Sequence, residues 1–374
     1  MPCGAQGRDA TLADEMRAAL IAVAAATLGC GGTTAPVRAA KESPAVDGGA
    51  DDAAEESAPS PAEAGVDRAA PPAPLAWSES GSSILFDIIA LWGSTDGAVY
   101  VGTDEGIVYR VDPIGSTDDT TLSSVGGAGW GGDPKHVFAV GTSAWLKTGG
   151  SGGLYDWTGE GWNSLAAGPF NAVWASTGSD VYAGGSGGVV HAADGRTFMR
   201  ETGIAGAVLG LGGSGATDIY ATTSSHDATI LHSSGDGAWQ SVFAQPTGAA
   251  WAVWSGASGE AYAVVSPTAD GDPDAFVLHG SGGAWMPESV GQAGSVLVAV
   301  WGSGPGDVYV AGWHAGAKGL VGDLFHSTGD GTWSRIDLPG EPYQVTSVWG
   351  SGPDSVYVGV FDVEGGPTLL RGQR

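Results

Sequence analysis

The sequence predicts an all-β fold, a seven-bladed β-propeller closed by an N-terminal strand and preceded by a signal peptide and a disordered linker. Three observations carry that prediction. The chain has 66 glycines and 15 tryptophans with only 15% charged residues. One short phrase returns seven times at the length of a propeller blade. A spare strand precedes the first repeat, and the last repeat lacks one.

Glycine at that level suits many short strands joined by tight turns, whereas long helices favour Ala, Leu, Glu and Lys without glycine. The formal net charge is −27. Residues 76–374 hold 30 acids against 9 bases, a net of −21. A field of that sign repels phosphate backbones, so nucleic acid is excluded as a partner.

The chain divides into a signal region, 1–29, a tether, 30–75, and the repeat array, 76–374. Arg17 precedes an apolar run of about eleven residues, and the stretch ends in Thr27-Leu28-Gly29-Cys30. Spanning a bilayer takes about 20 apolar residues, so this run reads as a signal peptide and not as a membrane helix. Leu28-Gly29-Cys30 resembles the end of the bacterial lipoprotein signal box, with Thr27 where that box has Leu. The resemblance implies lipid attachment at Cys30 and translation from Met16, since Asp9, Asp14 and Glu15 stand where a basic region belongs. Gly31 after the cysteine resembles the class exported to the outer membrane. The other cysteine, Cys3, lies upstream of cleavage, so no disulfide is expected. Residues 31–74 are Ala, Pro, Glu, Asp, Ser and Gly with few large apolar side chains, and cannot offset their chain entropy by burial.

The repeat joins a small apolar stretch ending in Trp-Gly to a turn and then to Asp-Val-Tyr-Val. Its clearest copies are Val300-Trp301-Gly302 with Asp307-Val308-Tyr309-Val310, and Val348-Trp349-Gly350 with Ser355-Val356-Tyr357-Val358. Anchors fall at 92, 130, 174, 211, 254, 301 and 349, with Leu211 in the Trp place, and the steps run from 37 to 48 residues. That is the period of a four-stranded blade. Each period continues with a third strand, such as Phe276-Val277-Leu278-His279, and a tight turn before a tryptophan, as in Gly235-Asp236-Gly237-Ala238-Trp239. Asp-Gly between apolar runs marks a hairpin whose turn needs positive φ. The seventh period stops after its third strand, while Leu75-Ala76-Trp77-Ser78 reads like Thr332-Trp333-Ser334. An N-terminal strand that completes the last blade removes the open edge.

The pattern resembles bacterial extracytoplasmic propeller repeats of the form Val-Trp-Gly-Ser-Gly-x-x-Asp-Val-Tyr-Val-x-Gly, found in lipoproteins and labelled sialidase-type or kelch-like. The likeness covers 76–374. Ser327-Thr-Gly-Asp330-Gly331-Thr-Trp333 departs from the sialidase Asp-box spacing, and the paired glycines of kelch repeats are missing. Such a resemblance implies fold and location more than activity.

His191, His232, His279 and His326 occupy one place in successive repeats, too far apart for a shared zinc. Asp180, Asp218, Asp307 and Glu260 recur before the second strand, where Asp fixes turns by accepting backbone N–H groups. Asp270, Asp272 and Asp274 alternate as in a calcium loop but lack the glycine and glutamate of an EF-hand. The repeated tryptophans are expected to pack between blades. Trp145, Trp157, Trp251 and Trp313, with His314, fall outside the repeat and are candidates for an aromatic binding patch. Arg110, Arg196, Arg200, Arg335, Arg371 and Arg374 are scattered, against the arginine cluster of sialidase chemistry. No catalytic residue and no cofactor is assigned. The reading is a tethered, monomeric binding or scaffolding propeller of the cell envelope, with an envelope protein or polysaccharide as partner. The rival is a glycosidase or polysaccharide lyase on the same fold.

Overall fold

The computed structural model describes residues 73–374 apart from 81–83, 94–96, 104–106, 112–116, 121–128, 132–136, 142–152, 159–161, 225–226, 258, 270–273, 341 and 363–365. The strands of the described residues group into antiparallel four-stranded sheets: I (88–120), II (129–167), III (170–200), IV (207–245), V (249–288), VI (296–335) and VII (344–373 with Ala76–Ser80). The first strand of each sheet lies against the first strand of the next, and that of sheet VII against that of sheet I. The chain is therefore an all-β propeller with the first strands innermost.

One cross-strand row explains the repeat. In the first three strands of a sheet, directly paired residues share a face. The row reads Trp174–Tyr182–His191 in sheet III, Trp254–Tyr262–His279 in V and Trp301–Tyr309–His326 in VI. Arg110 and Arg371 replace histidine in sheets I and VII, and Asp156 replaces it in II. Sheet IV corrects the sequence reading: Gly212, not Leu211, pairs with Tyr220 and holds the Trp place.

The glycines after Trp92, Trp301 and Trp349 make room for the ring of the preceding sheet, whereas Trp174 is followed by Ala175. A Cβ on Gly302 would lie 2.9 Å from Cη2 of Trp254, one on Gly350 2.5 Å from Cη2 of Trp301, and one on Gly93 2.0 Å from Cη2 of Trp349. The same interlock thus joins sheet VII to sheet I. Where the ring is missing, so is the glycine: sheet IV has Gly212, and sheet V answers with Ser255. Sheets IV and V close up instead, since a Cβ on Gly212 would sit 2.5 Å from the Val253 carbonyl oxygen. Ser255 Oγ donates to Asp218 across this gap at 3.1 Å.

Ala76–Ser80 pairs antiparallel with Gly366–Gln373, Trp77 facing Gly372. Thr346 Oγ1 of sheet VII donates to the Ile88 carbonyl of sheet I at 2.6 Å, a second stitch across the junction. Because each sheet is an up-and-down meander, its first and third turns lie at one end, the turn end. The second loops and the connections between sheets lie at the other, the loop end.

Candidate functional site

The repeated polar residues are consumed by the fold. His191 Nε2 lies 2.7 Å from Asp180, His232 Nε2 3.0 Å from Asp218, His279 Nε2 3.3 Å from Glu260 and His326 Nε2 2.8 Å from Asp307. Serine hydroxyls four residues upstream donate to the same acids: Ser176 to Asp180, Ser214 to Asp218 at 2.5 Å and Ser303 to Asp307 at 2.6 Å. These carboxylates therefore tie strand to strand and do not cap turn N–H groups as the sequence suggested. For Asp218 and Asp307 burial pushes the carboxyl pKa upward, but the His and Ser hydrogen bonds outweigh it and the net shift is downward. Burial holds Tyr220 up at about 12, so its ring stays a neutral phenol.

Sheets III and V add a second carboxylate. Glu201 lies 3.1 Å from His191 Nδ1 and Glu288 3.0 Å from His279 Nδ1. The indoles of the following sheets donate to both, Trp239 to Glu201 and Trp333 to Glu288 at 2.9 Å. Burial raises the Glu201 carboxyl above its ordinary range. The sequence reading missed these glutamates, whose signal was their shared position, two residues after Met199 and Met286. Among the described residues no group of three or more His, Cys, Asp or Glu is placed to hold a metal ion.

Cys30, Trp145, Asp270 and Asp272 lie outside the described residues. Asp274 is exposed and its Oδ1 accepts from Gly294 N at 3.1 Å, tying two loops together. Trp157 ends the third strand of sheet II at the turn end, its ring 5.5 Å from that of Trp162 and packed toward sheet I. Trp251 and Trp313 lie toward the loop end, in sheets V and VI, and Trp313 is buried. The structure therefore does not bring Trp157 together with Trp251 and Trp313.

His314 belongs to a buried network. Its Nδ1 is 2.8 Å from Asp323, a fully buried carboxylate that also meets Arg335 Nε at 3.2 Å and Ser295 Oγ at 3.2 Å. The network braces the long hairpin Asp307–Gly316 and Gly319–Ser327 at the loop end. Asp323 stood in plain view as the lone charge in Leu320-Val-Gly-Asp323-Leu-Phe.

A groove of about 780 Å³ opens at the turn end between sheets II and III. Asp156, Thr158, Asn163, Ser164 and Leu165 line it from sheet II, with Ser179, Asp194 and Arg196 from the turns of sheet III. Asp194 is fixed: Oδ1 accepts from Arg196 N at 2.9 Å and Thr197 N at 2.6 Å, and Oδ2 from Thr197 Oγ1 at 2.7 Å. Those hydrogen bonds, led by the Thr197 backbone, lower its pKa to about 2.

No protein family and no curated protein matches the sequence. Solved structures share its fold. YCF48 bound to D1 peptide is 13% identical with a TM-score of 0.58, over 80% of this chain and 95% of that one. The WD40 β-propeller domain of Doa1 is 12% identical with a TM-score of 0.57, over 80% and 97%. The GH74 xyloglucanase from Xanthomonas campestris is 12% identical with a TM-score of 0.56, over 77% of this chain and 52% of the enzyme. At such identities the likeness shows the propeller fold alone.

Proposed function

We propose that this chain is a lipid-anchored binding or scaffolding propeller of the bacterial cell envelope, a closed ring of seven blades held off the membrane by the tether 30–75. One observation carries the binding reading. The titratable residues of the repeat are paired with one another, leaving an open polar groove and an irregular loop end as the surfaces free to recognise a partner. The circuit of first strands, and the strand Ala76–Ser80 within sheet VII, support the seven-bladed ring. Leu28-Gly29-Cys30 supports the anchor. Partners are an envelope protein or a polysaccharide; among proteins of this fold, YCF48 takes a peptide and the xyloglucanase belongs to carbohydrate chemistry.

The glycosidase reading meets an obstacle in the groove. Glycoside hydrolysis needs one carboxyl group that stays protonated near neutrality. Asp194, held at about 2 by its three donors, is not that group. The decisive experiment labels expressing cells with clickable palmitate, comparing the parent with Cys30→Ala. Label lost in the variant supports the anchor; equal label, or none in either, overturns it.

A further inference from the structure

Between most neighbouring sheets the turn end is filled by a fourth-strand tryptophan that packs on the row tyrosine of the preceding sheet. Trp285 meets Tyr220 edge-on at 5.7 Å between centroids, and Trp333 meets Tyr262 at 6.3 Å. Trp239 joins the cluster of Tyr182, and Trp77 that of Tyr309. Histidines complete the filling, stacked on Tyr182 at 3.9 Å and Tyr262 at 4.2 Å. Between sheets VII and I the guanidinium of Arg371 takes that role, 5.2 Å over Tyr357.

The junction of sheets II and III departs twice. Residue 198, before the Met199 that pairs with His191, is Phe where sheet IV has Trp239. Asp156 stands where four sheets have histidine and two have arginine. Both changes put a smaller side chain into one junction: Asp156 lines the groove, and Phe198 packs beside it on the cluster of Leu154 and Val173. In every described row the tryptophan faces the following sheet, so Asp156 faces sheet III, while Trp157 and Trp162, on the other side of the strands, pack toward sheet I.

The lining selects a class of ligand. Three hydroxyls (Thr158, Ser164, Ser179), the Asn163 amide, two carboxylates and the Arg196 guanidinium offer donors and acceptors together, and Leu165 is the one large apolar side chain. Asp156 and Asn163 are direct cross-strand partners. Asp194 spends three of its roughly four lone-pair sites on its own turn, which freezes the carboxylate and leaves acceptor capacity for a ligand. A peptide partner would want apolar pockets for its anchors, and an anionic ligand would meet two carboxylates against one guanidinium. Sugar hydroxyls, each donor and acceptor at once, match. The volume falls within the roughly 300–1,000 Å³ of small-molecule sites.

We infer that the groove between sheets II and III binds a neutral oligosaccharide through Asp156, Asn163, Ser179 and Asp194. This rests on the binding reading and names its ligand. The test titrates the purified full chain with cellohexaose, chitohexaose and hexagalacturonate by calorimetry, alongside two variants. Ser179→Trp fills the mouth from an exposed turn, and Asn163→Ala removes an amide from the wall. Saturable binding of a neutral hexamer, weakened about tenfold or more by each variant and at least about tenfold weaker for the acidic hexamer, is the expected result. Circular dichroism confirms that both variants stay folded. No binding of either neutral hexamer up to about 10 mM, or binding that both folded variants leave unchanged, overturns the groove. The binding reading is judged apart from this, by photo-crosslinking from Lys318 at the loop end in intact cells. A specific envelope protein captured there keeps that reading when the sugars fail.

Discussion

Gly350→Ala tests the interlock that spaces the blades. The new Cβ would lie 2.5 Å from Cη2 and 2.8 Å from Cζ3 of Trp301, and 2.8 Å from the Ser355 carbonyl oxygen. Carbon atoms rest at about 3.5–4.0 Å, so the ring must retreat by about 1 Å into a packed junction. Overpacking of this kind costs about 1–3 kcal/mol, here about 2. For a domain of this size that lowers Tm by about 3 °C. Trp301→Leu alone opens a cavity and costs about 3 kcal/mol. If the ring is what the methyl strikes, the two costs are not additive. In the Trp301→Leu background Gly350→Ala should cost less by about 1–2 kcal/mol. Urea unfolding followed by tryptophan fluorescence reads all four chains. Gly352→Ala is the control, since a Cβ there meets nothing within 4 Å. Equal cost of Gly350→Ala in both backgrounds would refute the reasoning and leave the Ser355 backbone as the obstacle.

Three further outcomes follow from the same geometry. Asp323→Ala strips His314 and Arg335 of a fully buried counter-charge and should cost about 3 kcal/mol, with limited proteolysis cutting first in the 313–322 hairpin. Asp307 sits below its ordinary 3.8 in the folded chain, so its contribution is present above that pH and lost as pH falls through the folded value; Asp307→Asn should lower the urea midpoint at about pH 6 yet converge with the parent once pH falls below the folded value. Trp77→Ala, at the half-buried closing strand, should cost about 2 kcal/mol and drive concentration-dependent association seen by size-exclusion chromatography, as the edge of Gly366–Gln373 is bared.

Much of the fold was legible because a propeller writes its register into the chain. Tryptophan, tyrosine and histidine are bulky and rare, so a row crossing three strands shows as a spaced phrase, and Trp77 could be matched to Trp333 across the whole array. The slip at Leu211 shows the limit. The sequence offered a large apolar residue beside a glycine, and size favoured the leucine. The pairing of Gly212 with Tyr220 follows instead from how closely sheets IV and V approach, a distance no single repeat contains. The histidines and acids were both visible, but each was assigned a role by itself. That they form one pair depends on the second and third strands lying side by side with the ring and carboxylate on the same face.

The groove was the least legible feature, although its junction holds two departures from the repeat. Phe198 looks like a conservative aromatic exchange, and Asp156 looks like another acid in an acidic chain. They matter together because one projects from sheet II toward sheet III and the other lies just before the fourth strand of sheet III, packed between the two sheets. In a ring of near-identical sheets, each interior gap is set by two repeats at once. A single departure can be absorbed, as Ser255 absorbs the missing ring of sheet IV by bonding to Asp218. Two departures facing one gap leave room beside a polar wall, and there the repeat stops serving the fold alone.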